Sequence, residues 1–168
     1  LKATLLLGDD DLAALRRSGD LLAGRVEEIL DVWYGFVGAN PHLLAAFSDP
    51  DGQPDQAYLA AVRRRFGRWI LDTARASFDQ PWLDYQHEIA LRHHRRGKNR
   101  TDGADAADHI PLRYVLALLV HITTTLKPFL AKGGSGADEV EAMHQAWVKA
   151  VLLQVILWSH PYVREGDF

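Results

Sequence analysis

Hydrophobic residues recur at every third or fourth position through most of the chain, and no segment alternates apolar and polar residues with a period of two. The first spacing is typical of amphipathic α-helices, whereas the second would indicate β-strands. Glycine, proline and short acidic turns separate the apolar stripes. The pattern therefore predicts one all-α domain, residues 1–168, with seven or eight helices. Their expected positions are about 9–19, 20–38, 42–47, 55–76, 82–96, 109–132 and 135–159.

Several of these boundaries depend on single residues. Gly19 is predicted to end the first helix, because glycine favours helix C termini, and Asp20 is predicted to cap the second. The polar residues 97–108 indicate a loop or a frayed helix end, so the fifth helix should end near Arg96.

Composition excludes several classes of function. The 168 residues include no cysteine, which excludes disulfides, thiolate metal sites and cysteine nucleophiles. A net charge of −3 argues against general binding to nucleic acid or to an anionic membrane. The most apolar run, residues 146–158, is interrupted by Lys149 and Gln154 and is too short to cross a bilayer. A cytoplasmic protein without a membrane partner is therefore expected, and no HExxH, Walker, GxGxxG or GxSxG motif suggests an enzyme class.

His93 is the candidate for chemistry that the helical spacing singles out. It shares a helix face with Trp82 and Ile89, at the middle of the predicted buried stripe, whereas its neighbour His94 lies at the edge. A histidine directed into an apolar interior has two common explanations. It is either a core histidine bonded to another polar group, or a ligand of a metal or of haem iron. His87, His93 and His94 do not form a zinc set, because His93 points away from the other two.

Other side chains also have both a purely structural and a functional explanation. Trp33 and Tyr34 diverge by about 100° on their helix, and Tyr34 is expected to point inward. Its hydroxyl either donates to a backbone carbonyl or contacts a bound ligand. Phe66, taken by itself, is expected to belong to the hydrophobic core. Arg65 before it is expected either to be solvated or to bind a carboxylate. The basic residues 92–100 suggest a solvated helix end, with a phosphate or propionate partner as the alternative.

Five segments together resemble the protoglobins, single-domain relatives of globin-coupled sensors. The WYGFVG, LRHH and WSHPYVREGDF motifs within these segments are specific in combination, and the resemblance covers nearly the whole chain. The segments are EEILDVWYGFVGANPHLL (27–44), YLAAVRRRFGRWILDT (58–73), WLDYQHEIALRHHRRGKNRTDGA (82–104), RYVLALLVHITTTLKPFLA (113–131) and EVEAMHQAWVKAVLLQVILWSHPYVREGDF (139–168).

The resemblance implies a globin-like three-over-three helical sandwich with an extra N-terminal helix. It also implies haem b as the cofactor and His93 as the proximal ligand of a pentacoordinate iron. Trp33, Tyr34 and Phe66 match the distal wall, and Ile89 matches a proximal contact. Further pocket positions implied by the resemblance are Val62, Arg65, Val115, Leu118 and Ile122.

Leu118 departs from the family pattern, because relatives commonly carry phenylalanine there. The smaller side chain is expected to widen the distal pocket. The function implied is reversible binding of O₂, CO or NO, for gas binding or sensing. The alternative is a haem enzyme with an open distal site, active as a peroxidase, in NO chemistry, or in carbene or nitrene transfer. The family also implies a homodimer through the last two long helices.

Overall fold

A computed structural model describes all 168 residues of the chain. It contains seven α-helices and no strand, which confirms the all-α prediction. The helices are α1 (Asp9–Ala23), α2 (Val26–Ala39), α3 (Pro41–Leu44), α4 (Gln56–Arg75), α5 (Gln80–His93), α6 (Leu112–Ala131) and α7 (Ala137–Ser159). Two 3-10 helices, Ala45–Phe47 and His160–Tyr162, follow α3 and α7.

Helix α7 lies at the centre of the fold. Trp147, Ala150 and Val151 on this helix are fully buried. Helices α1, α5 and α6 all pack against α7, and α4 packs against α1 and α2. One main hydrophobic core therefore joins α1, α2, α4, α5, α6 and α7, as expected when every helix presents one apolar stripe to its neighbours.

The prediction that α1 ends near Gly19 is wrong. The helix continues through Gly19 and Asp20 to Ala23, and Leu22 on its last turn is fully buried. A side chain at position 19 would meet the Cβ of Ala74 at 3.1 Å. Glycine at this position therefore allows α1 to approach α4 closely, and it does not end the helix.

The predicted ends of α5 and α6 also differ from the structure. Helix α5 ends at His93 instead of near Arg96, and α6 begins at Leu112 instead of His109. The carbonyl oxygen of His93 accepts hydrogen bonds from the backbone N–H of Ile110 and from the hydroxyl of Tyr162, each at 2.9 Å. These tertiary donors replace the next helical hydrogen bond, so α5 ends at the residue where they bind.

Residues ahead of α1 form hydrogen-bonded turns, with the N–H of Leu5 bonded to the carbonyl of Leu1 and that of Leu7 to Lys2. The first α-helix begins at Asp9. Helix α6 alone is long and apolar enough to cross a membrane by length and composition, and core helices of globular proteins share these properties. Here α6 packs on α2 and α7.

Candidate functional site

A cavity of about 370 Å³ lies among helices α2, α4, α5, α6 and α7. Of its 31 lining residues, 22 are hydrophobic, so an apolar occupant fits it. All ten residues expected at the pocket line this one cavity. They are Trp33, Tyr34, Val62, Arg65, Phe66, Ile89, His93, Val115, Leu118 and Ile122.

Several apolar side chains in the interior remain only partly buried. Phe66, Leu118 and Ile122 belong to this group, and each lines the cavity. Protein cores are normally packed as densely as organic crystals, with few voids larger than a water molecule. A cavity of this size, bordered by partly exposed apolar groups, therefore indicates a binding site for a large, mainly apolar molecule.

The imidazole of His93 is fixed in one tautomer. Its Nδ1 lies 2.8 Å from the carbonyl oxygen of Ile89, one turn earlier in α5, so Nδ1–H donates to that oxygen. This leaves Nε2 without a hydrogen bond, on a residue that lines the cavity. Burial lowers the pKa of His93, which keeps the ring neutral at neutral pH. A neutral imidazole with one free, oriented nitrogen has the chemistry of a metal ligand.

Two residues from the end of α7 and the 3-10 helix after it hold His93 in position. The indole of Trp158 stacks on the imidazole, with ring centroids 5.4 Å apart and 13° between the planes. The indole N–H of Trp158 donates to Oε1 of buried Gln86 at 2.9 Å. The hydroxyl of Tyr162 lies 2.9 Å from the carbonyl oxygen of His93 and 2.7 Å from that of Ile110. Ring and backbone of His93 are thus each held from outside α5.

The hydroxyl of Tyr34 is buried and has no hydrogen-bond partner in the protein. Burial raises the pKa of Tyr34, so the hydroxyl remains protonated and available as a donor. An unpaired buried hydroxyl costs about 1–3 kcal/mol. Of the two predicted alternatives, the bond to a backbone carbonyl is not present, and the free donor belongs to a residue of the cavity wall. It is suited to a polar atom of a bound molecule.

Aromatic rings form the wall beside Tyr34. Trp33 and Phe66 pack edge to face with centroids 5.1 Å apart, and Phe66 also contacts Trp69. On its other side, Trp33 lies 5.1 Å from His121, counted between ring centroids. These rings limit how far the wall can move, whereas Leu118 on α6 contributes only a flexible aliphatic group.

Charged residues lie where α4, the end of α5 and residues 97–108 meet at the cavity. Arg65 donates two hydrogen bonds to the carboxylate of Asp102, at 2.9 and 2.6 Å. The Arg65 guanidinium holds the pKa of the Asp102 carboxyl below its usual range. Arg92 pairs with Glu88. Lys98 is almost fully buried, and its pKa falls to about 8 because of that burial.

Sequence reasoning did not identify Trp158, Tyr162, Lys98 and Asp102 as individual site residues. The basic run containing Lys98 was a signal for a propionate or phosphate partner, but it did not distinguish Lys98 from the arginines around it. Trp158 and Tyr162 lie within the WSHPYVREGDF motif, yet their contacts with α5 join residues about 70 positions apart in sequence. No local spacing reveals such contacts.

A sequence model of the protoglobin family matches residues 1–168. The chain belongs to the protoglobin family. Among solved structures, the globin domain of the Geobacter sulfurreducens globin-coupled sensor is similar to this protoglobin with a TM-score of 0.74 and 16% identity, over 97% of this chain and 95% of that chain. The match confirms the globin-like fold. No curated protein sequence matches the chain.

Membership of the family makes this protoglobin a haem-binding globin, and the cavity fits that cofactor. His93 offers an unprotonated Nε2 to an iron. The apolar lining suits a porphyrin face, and the unpaired Tyr34 hydroxyl suits a ligand on the iron. The donor set and the orphaned hydroxyl in one cavity agree with the group that the family implies.

Proposed function

We propose that this protoglobin holds haem b in the cavity, with His93 as the only protein ligand of the iron, and binds O₂, CO or NO reversibly. The main support for the proposal is that residues of one apolar cavity carry two polar atoms that have no hydrogen-bond partner in the protein. One is Nε2 of His93, and the other is the unpaired hydroxyl of Tyr34. An imidazole nitrogen binds iron, and a hydroxyl donor stabilises the partly negative oxygen of a bound diatomic ligand.

The roles of the remaining residues follow from their positions. Ile89 lies beside His93 on α5, while Trp33 and Phe66 restrict the space near Tyr34. Val62, Val115 and Ile122 supply apolar contact to the porphyrin. Leu118 leaves more room than a phenylalanine would at the same position. Arg65, paired with Asp102, contributes a polar part of the cavity wall.

Optical spectroscopy of the purified protein, expressed with ample haem, tests the proposal directly. The ferrous protein should show a Soret band that sharpens and shifts when CO is added. His93→Ala should lose haem or its axial ligation, which the same spectra report. His94→Ala is the matched control, because His94 contacts His109 and Tyr162 instead of pointing its ring into the cavity as His93 does. A native spectrum from the His93 variant would exclude His93 as the iron ligand.

We further propose a homodimer through α6 and α7. Leu116 and Val120 lie one turn apart on α6 and are 49% and 64% exposed. Large apolar side chains that neighbour one another on a helix surface are typical of protein interfaces. The dimer would bury this pair against the same surface of a second copy, as a two-fold contact requires.

A further inference from the structure

Lys98 is a buried cation in the wall of the haem cavity. Only 4% of its surface is exposed, although lysine is almost never buried to this degree unless it is paired. It follows the end of α5 by five residues, within the segment 97–108 that borders the cavity. The burial of this charge therefore needs a specific explanation.

The ammonium group has hydrogen-bond partners but no counterion. Nζ donates to the carbonyl oxygen of Ala46 at 2.7 Å and to Oδ1 of Asn99 at 3.2 Å. It also lies 5.1 Å from the centroid of the Tyr58 ring. All three partners are uncharged, and an ammonium carries three donors, so one N–H remains free. No carboxylate lies within 4 Å of Nζ, since Lys98 forms no salt bridge.

The other cations that line the cavity each bind a carboxylate, although Nε of Arg92 is buried without a hydrogen-bond partner. Arg65 binds Asp102 through two hydrogen bonds, and Arg92 binds Glu88. Lys98 is thus the one cavity-lining cation that the protein itself leaves without a carboxylate. A buried charge without a partner is strongly unfavourable, and a bound anion would relieve it.

We propose that Lys98 is the binding site for a carboxylate of the cavity's occupant, and that this carboxylate is a propionate of the haem. The inference rests on the proposed function, because it takes haem as the occupant. It assigns a residue that the basic run 92–100 alone did not single out. The neutral oxygens of Ala46 and Asn99 orient Nζ, and the third donor is left for the propionate.

Removal of the charge should weaken binding only when the porphyrin carries free propionates. Lys98→Met should release haem about tenfold faster to an excess of a haem-scavenging apoprotein, since a lost charged hydrogen bond has about this effect. Lys98→Arg, which keeps the charge, should stay within about threefold of the native rate. Lys132→Met is the matched control for charge, because Lys132 is exposed and binds Glu28 outside the cavity.

The same variants reconstituted with haem dimethyl ester provide the deciding comparison. The ester has the same ring and iron but no propionate charge, so Lys98→Met should release it at the native rate. Equal acceleration for haem and for the ester would overturn the proposal, because it would show a structural role for the bonds to Ala46 and Asn99. An unchanged haem rate would also overturn it. If the native protein retained neither porphyrin, the proposed function itself would fail.

A measurement on the native sequence avoids any folding defect of the variants. Lysines labelled with ¹³C at Cε keep all three N–H donors and report their own pKa by NMR, and the zinc complex of protoporphyrin IX is a diamagnetic substitute for haem. Binding of this porphyrin should raise the pKa of Lys98 above its value of about 8 in the free protein, because a carboxylate favours the charged amine. The dimethyl ester should not raise it. A pKa that responds equally to both porphyrins would contradict the assignment.

Discussion

At the scale of single residues, this protoglobin is distinguished by buried polar atoms whose hydrogen-bonding capacity the protein leaves partly or wholly unused. The hydroxyl of Tyr34, Nε2 of His93 and one N–H of Lys98 all belong to residues of one apolar cavity. Native proteins satisfy nearly all buried polar groups, so each exception needs a reason. A single bound haem with a diatomic ligand would supply a partner to each of the three.

Tyr34→Phe separates the ligand contact of Tyr34 from its packing. Because the hydroxyl has no partner in the protein, its removal should leave the free energy of unfolding of the apoprotein unchanged or slightly higher. Dissociation of O₂ from the ferrous protein should accelerate about tenfold, as expected when a hydrogen bond to a partly charged atom is lost.

Stopped-flow replacement of O₂ by CO measures that rate. Dissociation of CO is the internal control, since bound CO carries less negative charge on its outer atom and gains less from a donor. An O₂ rate equal to that of the native protein would show that Tyr34 does not donate to the bound ligand.

Helical spacing predicted the directions of the site side chains because those depend only on local geometry. It turned His93 and Tyr34 inward, and both line the cavity. It did not identify the partner of His93, since an inward histidine fits a core as well as a cofactor site. The family resemblance supplied haem. The sequence could not show that the Tyr34 hydroxyl lacks a hydrogen-bond partner or that Lys98 lacks a carboxylate, because both depend on which oxygens lie nearby in space.

At the scale of helices, the sequence predicted element interiors better than their ends. Helices α4 and α7 carry long apolar stripes with clear flanking breaks, and both lie within a few residues of the expected positions. The ends of α1 and α5 differ for tertiary reasons. Gly19 faces Ala74 on another helix, and the carbonyl of His93 is bonded by Ile110 and Tyr162. At these two helix ends, contacts between residues distant in sequence override the intrinsic helix propensity.

The hydrogen bond from the 3-10 helix His160–Tyr162 to the end of α5 leads to a prediction for His93, the proposed iron ligand. Tyr162→Phe removes the hydroxyl near the carbonyls of His93 and Ile110. Burial raises the pKa of Tyr162 to about 12, so the native hydroxyl is protonated across the neutral range. The variant should loosen the end of α5. The iron–histidine stretching band of the ferrous protein should broaden or shift, and haem should dissociate about threefold to tenfold faster, as expected for one lost hydrogen bond.

Resonance Raman spectroscopy measures the iron–histidine band. Ser159→Ala is the matched control from the same segment, because its hydroxyl bonds only to the carbonyl of Ile156. An unperturbed band in Tyr162→Phe, with the same haem dissociation rate as the native protein, would mean that Tyr162 does not position the ligand.

At the scale of the whole molecule, the composition and spacing correctly gave an all-α fold, but they did not give the arrangement of helices around one cavity. That arrangement depends on pairings such as α1 with α4 and α5 with α7, which the seven stripes leave undetermined. The five quoted segments supplied it through resemblance to a globin. One surface property, in contrast, remains visible in the sequence of α6 itself: its apolar residues extend round most of the helix.

The apolar side of α6 leads to a prediction about assembly. A dimer that buries Leu116 and Val120 at its centre should weaken strongly when a charge is introduced there, because residues at the centre of an interface contribute about 2 kcal/mol or more each. Leu116→Glu should therefore raise the dissociation constant about 30-fold or more.

Sedimentation velocity across a concentration series measures this change, and the Soret band reports whether the haem site is intact. Leu83→Glu is the matched control, because Leu83 is 42% exposed and lies on α5, which is not a helix of the proposed interface. This control should leave assembly unchanged. A native protein that sediments as a monomer at every concentration, or a Leu116→Glu variant that dimerises like the native chain, would show that α6 does not form the proposed homodimer contact.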